Sequence, residues 1–275
     1  MATNHRTGGQ LLVDSLANQG ADLAFCVPGE SYLAALDALY DQPSIRLITC
    51  RQEGGAAMMA EAYAKLTGRP GICFVTRGPG ATNASPGLHI AFQDSSPVIL
   101  FIGQVARDQV DREAFQEIDY RRLFGQLTKW TAQIEETARV PEYVSRAFHT
   151  ATAGRPGPVA LALPEDMLRD AAEAVIGTPW RSPEIAPTPE DMDRFRDMLA
   201  GSERPVMIVG GSRWSQDTAD RLAAFCAAND MPVCTSFRCQ DFIDNTAPAY
   251  MGVSGIGPDP ERVKRLTGAD LGGCG

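Results

Sequence analysis

The sequence predicts an α/β fold in which helices cover both faces of a parallel sheet. Three short apolar runs, Arg46–Thr49, Gly71–Val75 and Val98–Gly103, are each bounded by turn residues, as buried strands are. Two stretches with helical spacing separate these runs, and strands that alternate with helices form parallel sheets. Ligands of such sheets bind outside the carboxyl ends of the strands. Glu53 follows the first run and Gly78 follows the second, so we expect both at the same edge.

The remaining elements of the first part extend this pattern along the chain. Of the two helices between the runs, one is predicted to begin at Glu53, and Thr82 or Asn83 is predicted to cap the other. The other predicted elements are a helix over 9–19, a strand over 23–27, a helix to Tyr40, a loop with a short helix over 104–127, a helix over 141–153 and a strand over 159–163. About six strands are expected up to Pro164, which is enough for a complete sheet domain.

The composition changes over residues 171–189, where four prolines lie among small and polar residues. We interpret this stretch as a linker between an N-terminal domain, 1–170, and a second, partial α/β domain, 190–275. The second domain is predicted to contain about two strands, over 205–209 and 232–235. Its last residues, GADLGGCG, are predicted to form no strand, so we expect this domain to be incomplete.

Composition and charge exclude several classes of protein. The chain has 275 residues and a net charge of −9, which argues against binding to nucleic acid or an anionic membrane surface. Its seven cysteines form no CxxC pair and there are three histidines, so we expect buried, reduced thiols and no metal site. The N-terminus lacks the apolar segment of a signal peptide, and no run is long enough for a membrane span. A cytoplasmic location is therefore expected.

Glu53 is the strongest candidate for a functional residue. A helix N-terminus favours its carboxylate form, whereas apolar neighbours in the sequence favour the neutral acid. Gly54 and Gly55 remove side chains beside it, as expected where a planar ligand or another backbone comes close. The alternative is an ordinary first-turn acid that suits the helix dipole and has no chemical role.

Three further segments offer candidate binding groups. Residues 78–83, GPGATN, place backbone N–H groups at a helix start, which suits an anion or an amide. They fit the dinucleotide fingerprint poorly, and a tight turn before a capped helix remains the alternative. Arg155 can present a guanidinium fork to a phosphate, or it can be a surface arginine in a turn. Phe115, Gln116 and Glu117 lie in a loop that could close over a pocket, although a lone aromatic residue is often a packing anchor.

Together, these segments resemble the acetolactate synthase-like branch of the thiamine diphosphate-dependent enzymes. The matching motifs are VPGES at 27–31, RQEGGAA at 51–57, GPGATNA at 78–84, QDSSPVILFIGQV at 93–105, AFQEID at 114–119, TKW at 128–130, GRPGPVALALPEDM at 154–167 and RPVMIVGG at 204–211. The resemblance covers nearly the whole chain, and it implies the N-terminal pyrimidine-binding domain and part of the central domain of such an enzyme.

The resemblance implies a role for each candidate residue. Glu53 matches the glutamate that hydrogen-bonds N1′ of the cofactor's aminopyrimidine ring and tunes its proton transfer. The other implied cofactor contacts are Pro28 and Gly29 in one loop, Gly78, Pro79 and Asn83 in the segment that also meets a second subunit, Gln116, and Arg155, which matches an arginine that contacts FAD in synthases that carry it. Phe115 and Gln116 match positions near the substrate channel. A homo-oligomer, a dimer or tetramer, and a 2-keto acid substrate are implied as well.

Two departures from the family pattern leave the function open. Gln52 stands where the family often has histidine, and the GDG…N motif that holds Mg²⁺ and diphosphate is not found in this sequence. One hypothesis is therefore a thiamine diphosphate-dependent carboligase or decarboxylase of 2-keto acids, present as an N-terminal fragment. Another is an inactive fragment or a binding partner that dimerises with a full-length relative. A nucleotide-binding α/β domain is disfavoured by the poor fingerprint.

Overall fold

A six-stranded parallel sheet forms the centre of the first of two units. The computed structural model describes residues 5–182 and 185–274, and the chain divides into the units Met1–Pro183 and Glu184–Gly275. The strands of the first unit are β1 Arg6–Thr7, β2 Leu23–Cys26, β3 Arg46–Thr49, β4 Gly71–Val75, β5 Val98–Gln104, β6 Trp130–Gln133, β7 Val159–Pro164 and β8 Ala171–Ala172. Its helices are α1 Gly8–Asn18, α2 Leu33–Tyr40, α3 Glu53–Thr67, α4 Gly78–Asp94, α5 Tyr120–Phe124, α6 Val140–Thr152 and α7 Glu165–Arg169.

The sheet has the strand order β3-β2-β4-β5-β7-β6, and every neighbouring pair is parallel. Strands β4, β5 and β7 are buried along their whole length, which explains why they read as continuous apolar runs. One core cluster includes residues of α1, α2 and α6, and the other includes residues of α3, α4 and α5. Helices therefore cover both faces, and the predicted fold class is confirmed.

The start of α4 differs from the prediction. The helix begins at Gly78, so Thr82 and Asn83 lie inside it and neither is its cap. Pro79 occupies the first turn, where its fixed φ suits a helix and its missing N–H is not needed. The Thr82 hydroxyl donates back to the carbonyls of Gly78 and Pro79 at 2.9 Å, as an interior threonine does. By contrast, β3, β4 and α3 have the predicted bounds.

Part of the predicted linker belongs to the first unit. Strand β8 pairs antiparallel with β1, joining Arg6 to Ala172 and Thr7 to Ala171. Further on, the Trp180 indole nitrogen donates to the carbonyl of Gln19 at 3.0 Å, and its ring lies 6.2 Å from that of Phe148. The unit boundary falls after Pro183. The domain limits 1–170, 171–189 and 190–275 stay predictions.

The second unit contains a four-stranded parallel sheet, so the expectation of about two strands is wrong. Its order is β11-β10-β9-β12. The elements of this unit are α8 Pro189–Ala200, β9 Pro205–Val209, α9 Gln216–Ala228, β10 Val233–Ser236, β11 Tyr250–Ser254, α10 Pro260–Thr267 and β12 Leu271–Cys274.

The glycine-rich segment at 271–274 is a strand, contrary to the prediction. It pairs with β9 from Leu271 opposite Pro205 to Cys274 opposite Ile208. The Asp270 carboxylate fixes its start, because it accepts hydrogen bonds from the Ser202 hydroxyl and from the backbone N–H groups of the two following residues. These hydrogen bonds lower the pKa of Asp270 to about 2, and the bond from the Ser202 hydroxyl has the largest effect. The pairing is imposed over a long sequence distance, so local propensity does not reveal it.

Short 3-10 helices occur at Glu30–Tyr32, Arg107–Gln109, Thr137–Arg139 and Gln240–Phe242. Among the residues that the structure describes, none of the helices combines the length and apolar character needed to cross a membrane.

The Cys73 thiol in β4 gives the first unit a pH-dependent stability. Burial, with smaller effects from Cys50, Cys26 and Glu53, raises the pKa of this thiol above its ordinary value of 9.0. Above that pH the unfolded chain loses the proton and the folded chain keeps it. We therefore expect the free energy of unfolding to fall as the pH rises beyond 9.0, by at most about 1.4 kcal/mol per pH unit from this thiol.

Denaturant titrations on both sides of pH 9.0 measure this slope. In Cys73→Ala the slope is expected to be shallower than in the wild type, whatever the absolute stability of the variant. An unchanged slope would contradict the assignment to Cys73.

Candidate functional site

The candidate site lies at the carboxyl edge of the six-stranded sheet. The turn at 27–30 follows β2, the segment 50–52 follows β3, and Thr76 and Arg77 follow β4. Because β3, β2 and β4 are adjacent and parallel, these three connections meet at one edge. Glu53 and Gly78 are therefore at the same edge of the sheet, as the sequence predicts.

Glu53 begins α3, where its carboxylate is half-buried. The side-chain oxygen of Gln52 caps the helix by accepting a hydrogen bond from the Gly55 N–H at 2.8 Å. Glu53 Oε2 accepts a hydrogen bond from the Asn83 side-chain amide at 3.0 Å. Oε1 takes no hydrogen bond from any residue within 5–182 or 185–274. One carboxylate oxygen is thus held by α4, and the other is available.

Close packing of α3 against α4 brings these two groups together. A Cβ atom on Gly87 would lie 2.5 Å from the Cβ of Ala57, and one on Gly54 would lie 3.0 Å from the carbonyl oxygen of Asn83. A Cβ on Gly80 would lie 3.5 Å from Glu53 Oε1, so the first turn of α4 faces this oxygen. The small residues let two backbones approach and leave space beside the carboxylate.

The loop after β2 forms a second wall of the site. A Cβ on Gly29 would lie 2.5 Å from the Cβ of Thr76, so this position accepts only glycine without a shift of the chain. Pro28 beside it is exposed. Tyr32 follows, and its buried hydroxyl donates to the carbonyl of Val27 at 2.5 Å. Burial, followed by the charges of Cys26, Cys73 and Glu53, raises the pKa of Tyr32, so this hydroxyl stays a donor.

The segment of the AFQEID motif is anchored on the start of α4. Gln116 has a left-handed backbone conformation with φ of 66°, and its carbonyl accepts a hydrogen bond from the Gly78 N–H at 3.0 Å. The neighbouring Phe115 side chain is 72% exposed. It is therefore not a packing anchor, and it is free to contact a ligand or another chain.

Arg155 lies away from Glu53, at the other end of α4. Its Nε donates to the Ser95 hydroxyl at 2.8 Å, and its Nη2 donates to the carbonyls of Phe92 and Gln93 at 3.2 Å each. Such an arginine satisfies the free carbonyls of a helix end and suits the negative end of its dipole. The distance along the helix axis from this end to Gly80 is roughly 20 Å. The two candidate residues are thus not brought together.

Two buried polar residues of this edge were not identified from the sequence. Arg77 makes ion pairs with Glu30 and Glu165, and the Tyr32 hydroxyl holds the loop after β2. The sequence feature that could have identified Arg77 is its charge, which comes soon after the continuous apolar run of β4. A buried arginine requires partners of opposite charge, so such a residue indicates an ion pair. Within the described ranges no cluster of three histidine, cysteine or acidic residues could hold a metal ion.

The fold and the site define an α/β protein with a candidate ligand site at the carboxyl edge of its six-stranded sheet. At this site the Glu53 carboxylate lies between the close-packed helices α3 and α4. Comparison with known families agrees with this description. Residues 6–123 match the family described as thiamine pyrophosphate enzyme, N-terminal TPP binding domain. Residues 192–272 match the description thiamine pyrophosphate enzyme, central domain.

Several curated proteins are similar to this chain. The probable acetolactate synthase large subunit of Methanocaldococcus jannaschii is 34% identical over 256 residues, covering 90% of this chain and 43% of the relative. The acetolactate synthase isozyme 2 large subunit of Escherichia coli is 34% identical over 252 residues, with 90% and 45% covered. The chloroplastic acetolactate synthase of Arabidopsis thaliana is 34% identical over 248 residues, with 86% and 37% covered.

The chain belongs to the thiamine pyrophosphate enzyme family, in its acetolactate synthase-like branch. It spans less than half the length of the curated relatives that it matches. The resemblance found in the sequence motifs is confirmed.

The contact between α3 and α4 can be tested with two glycines. In Gly87→Ala, the new methyl group would lie 2.5 Å from a side-chain atom of Ala57 and 2.9 Å from its backbone carbon, so the helices must separate. We expect the free energy of unfolding to fall by about 1–3 kcal/mol. Chemical denaturation followed by circular dichroism measures the change.

Gly55→Ala is the matched control on the same pair of helices. The nearest atom to its new methyl group is Oε1 of Gln52, at 4.0 Å, so no backbone has to move. Its stability is expected to equal or slightly exceed that of the wild type. Equal effects of the two substitutions would mean that the helix contact is not tight.

Proposed function

We propose that this chain carries the aminopyrimidine-binding part of a thiamine diphosphate-dependent carboligase or decarboxylase of 2-keto acids. The observation that supports this best is the Glu53 carboxylate, which has one oxygen held by Asn83 and the other available beside Gly80. A group that must exchange a proton with a ring nitrogen needs this kind of fixed yet accessible oxygen.

The residues present fit the aminopyrimidine end of this cofactor. Glu53 would hold a proton at the ring nitrogen through Oε1, and Asn83 would fix the orientation of the carboxylate through Oε2. A Cβ atom on Gly80 would lie 3.5 Å from Glu53 Oε1, so the glycine leaves this oxygen accessible to a flat ring. Gly29 and Gly54 let the protein's own segments pack closely at the border of this space, against Thr76 and Asn83. When bound, thiamine diphosphate supplies an electron sink for the carbon–carbon bond cleavage of a 2-keto acid.

The rest of the proposed chemistry is distributed over the other candidate residues. Pro28, Gly78 and Pro79 would line the ring pocket, while Gln116 fixes the loop that carries Phe115 near the substrate. Mg²⁺ and the diphosphate would be held by residues of a GDG…N segment, which this sequence does not contain. FAD is assigned no step, because the Nε and Nη2 atoms of Arg155 already bind the end of α4.

A homo-oligomer, a dimer or tetramer, is part of the proposal. Met58, Met59 and Leu66 of α3 are exposed apolar side chains on the helix that starts with Glu53. Exposed apolar groups of this kind are typical of surfaces that meet another chain. We also propose a cytoplasmic location, which the free cysteines of the described part of the chain support. The net charge of −9 disfavours nucleic acid and membrane surfaces as partners.

A second candidate function is that of a catalytically inactive partner. It is supported by the site itself, since Glu53 and the Asn83 amide that orients its carboxylate are both in place for the cofactor of another chain. Such a chain would dimerise with a full-length relative and supply Glu53 to the cofactor of the other subunit. The two candidates differ in whether the 275-residue chain turns over substrate by itself.

The role of Glu53 can be tested with thiamine as the probe. In saturation-transfer NMR, we expect stronger transfer to the aminopyrimidine protons than to the thiazolium protons. Glu53→Gln removes a charge-assisted hydrogen bond, so the affinity is expected to fall about ten- to a hundredfold. Glu142→Gln, which removes an exposed carboxylate on α6, is the control and is expected to bind thiamine normally. Equal binding by the two variants would refute the assignment of Glu53.

A turnover assay separates the two candidate functions. Supplied with thiamine diphosphate, Mg²⁺ and pyruvate, the 275-residue chain is expected to release no measurable carbon dioxide, since the anchors for the diphosphate are not in its sequence. Carbon dioxide release that is abolished in Glu53→Gln would show instead that the chain is an enzyme by itself.

A further inference from the structure

We propose that Arg77 is a positioning residue for the thiamine edge, and that it acts by tying three strand ends together. This inference rests on the proposed function, because the edge it holds is the one assigned to the aminopyrimidine ring. Arg77 lies two residues after the end of β4 and is the N-cap residue of α4. Its side chain is 9% exposed, so its charge is largely removed from water.

The guanidinium group divides its donors between two other strand ends. Nη1 lies 3.1 Å from Glu30 Oε1, in the turn after β2, and Nη2 lies 2.8 Å from Glu165 Oε2, at the start of α7 after β7. Arg169 contacts the second oxygen of Glu165 at 3.2 Å. The four side chains therefore form a row of alternating charges. The planar guanidinium fork holds these two carboxylates in fixed directions, which a lysine ammonium group does not.

The ion pair between Arg77 and Glu30 holds the segment 29–32 over the end of β5. Strand β5 lies between β4 and β7, so the guanidinium links strands on both sides of it. A Cβ on Gly103 of β5 would lie 2.0 Å from the Ser31 hydroxyl oxygen, which shows how closely this segment lies on the strand. The Ser31 and Thr76 hydroxyls are 2.9 Å apart. Glu30 supplies the charged contact that closes the clamp.

The arrangement serves position more than stability. The Glu30 side chain is 69% exposed, and ion pairs with so exposed a partner contribute little to folding because water and salt screen them. Arg77 Nε is buried and, within the described residues, has no hydrogen-bond partner, which is itself unfavourable. The buried Tyr120 hydroxyl likewise has no partner in the part of the chain that the structure describes, and the charge of Arg77 partly offsets the rise in the pKa of Tyr120 that burial causes.

The clamp acts on both walls of the site. On one side, Gly29 lies next to Glu30 and against Thr76. On the other, Arg77 directly precedes the first turn of α4, which carries Gly80 and, one turn later, Asn83. If the Glu30 contact is lost, the loop is free to move away from the helix start. Arg77 therefore sets the width of the space that faces Glu53 Oε1.

The test uses Glu30→Gln, which removes the charge of the exposed partner and leaves Arg77 bonded to Glu165. The control is Glu142→Gln, which removes another largely exposed carboxylate from its ion pair with Arg139. Three quantities are measured for each chain. They are the midpoint of chemical unfolding, the amide hydrogen exchange of residues 29–32 and 78–84, and the affinity for thiamine from ligand-observed NMR.

We expect Glu30→Gln to keep the wild-type unfolding midpoint, to exchange faster at residues 29–32 and to bind thiamine about two- to fivefold more weakly. Glu142→Gln is expected to match the wild type in all three. Arg77→Lys, which keeps the charge and loses the fork, is expected to show the same local changes as Glu30→Gln or larger ones. If Arg77→Lys does not fold, the comparison of Glu30→Gln with Glu142→Gln still tests the positioning role.

Wild-type exchange and wild-type affinity in Glu30→Gln would overturn the positioning role. A lower unfolding midpoint with unchanged local exchange would also overturn it, because the pair would then be structural only. If the wild-type chain binds no thiamine while Glu30→Gln still loosens residues 29–32, the clamp is upheld and the proposed function fails.

Discussion

The close approach of α3 and α4 is the constraint on which the rest of the site depends. Gly87 meets Ala57, and Gly54 meets the backbone of Asn83, at distances that no larger side chain fits. At this spacing the first turn of α3 and the first turns of α4 share one space. The hydrogen bond between Asn83 and Glu53 exists because of this spacing. Packing of small residues and placement of the carboxylate are therefore a single requirement.

Polar and apolar interactions have separate tasks in the first unit. The middle of the sheet is apolar on both faces and buried along three strands, so it supplies the hydrophobic stabilisation. Charged and hydroxyl groups are concentrated at the carboxyl edge, where they join connections that follow different strands. Glu30, Arg77 and Glu165 come from three such connections. The edge is thus held by directional contacts, which fix positions better than apolar packing does.

Local signals in the sequence were sufficient for much of this fold. Strands β3 and β4 and helix α3 had the predicted bounds, since apolar runs and terminal glycines mark them within a few residues. Distant contacts were not visible in this way. Arg77 pairs with residues 47 and 88 positions away, and Arg155 bonds residues about sixty positions away. Strand β12 was missed for the same reason, because its glycines form a strand only through pairing with β9.

The small antiparallel ribbon of β1 and β8 has a consequence for the first unit as a separate module. It joins residues 6–7 to residues 171–172, so the chain segments that lead into and out of the six-stranded sheet lie side by side. A domain with adjacent ends can be excised, rejoined head to tail or inserted into a loop of another protein without stretching its backbone. The first unit is therefore suited to circular permutation and to insertion into another protein, with its sheet and both helix layers unchanged.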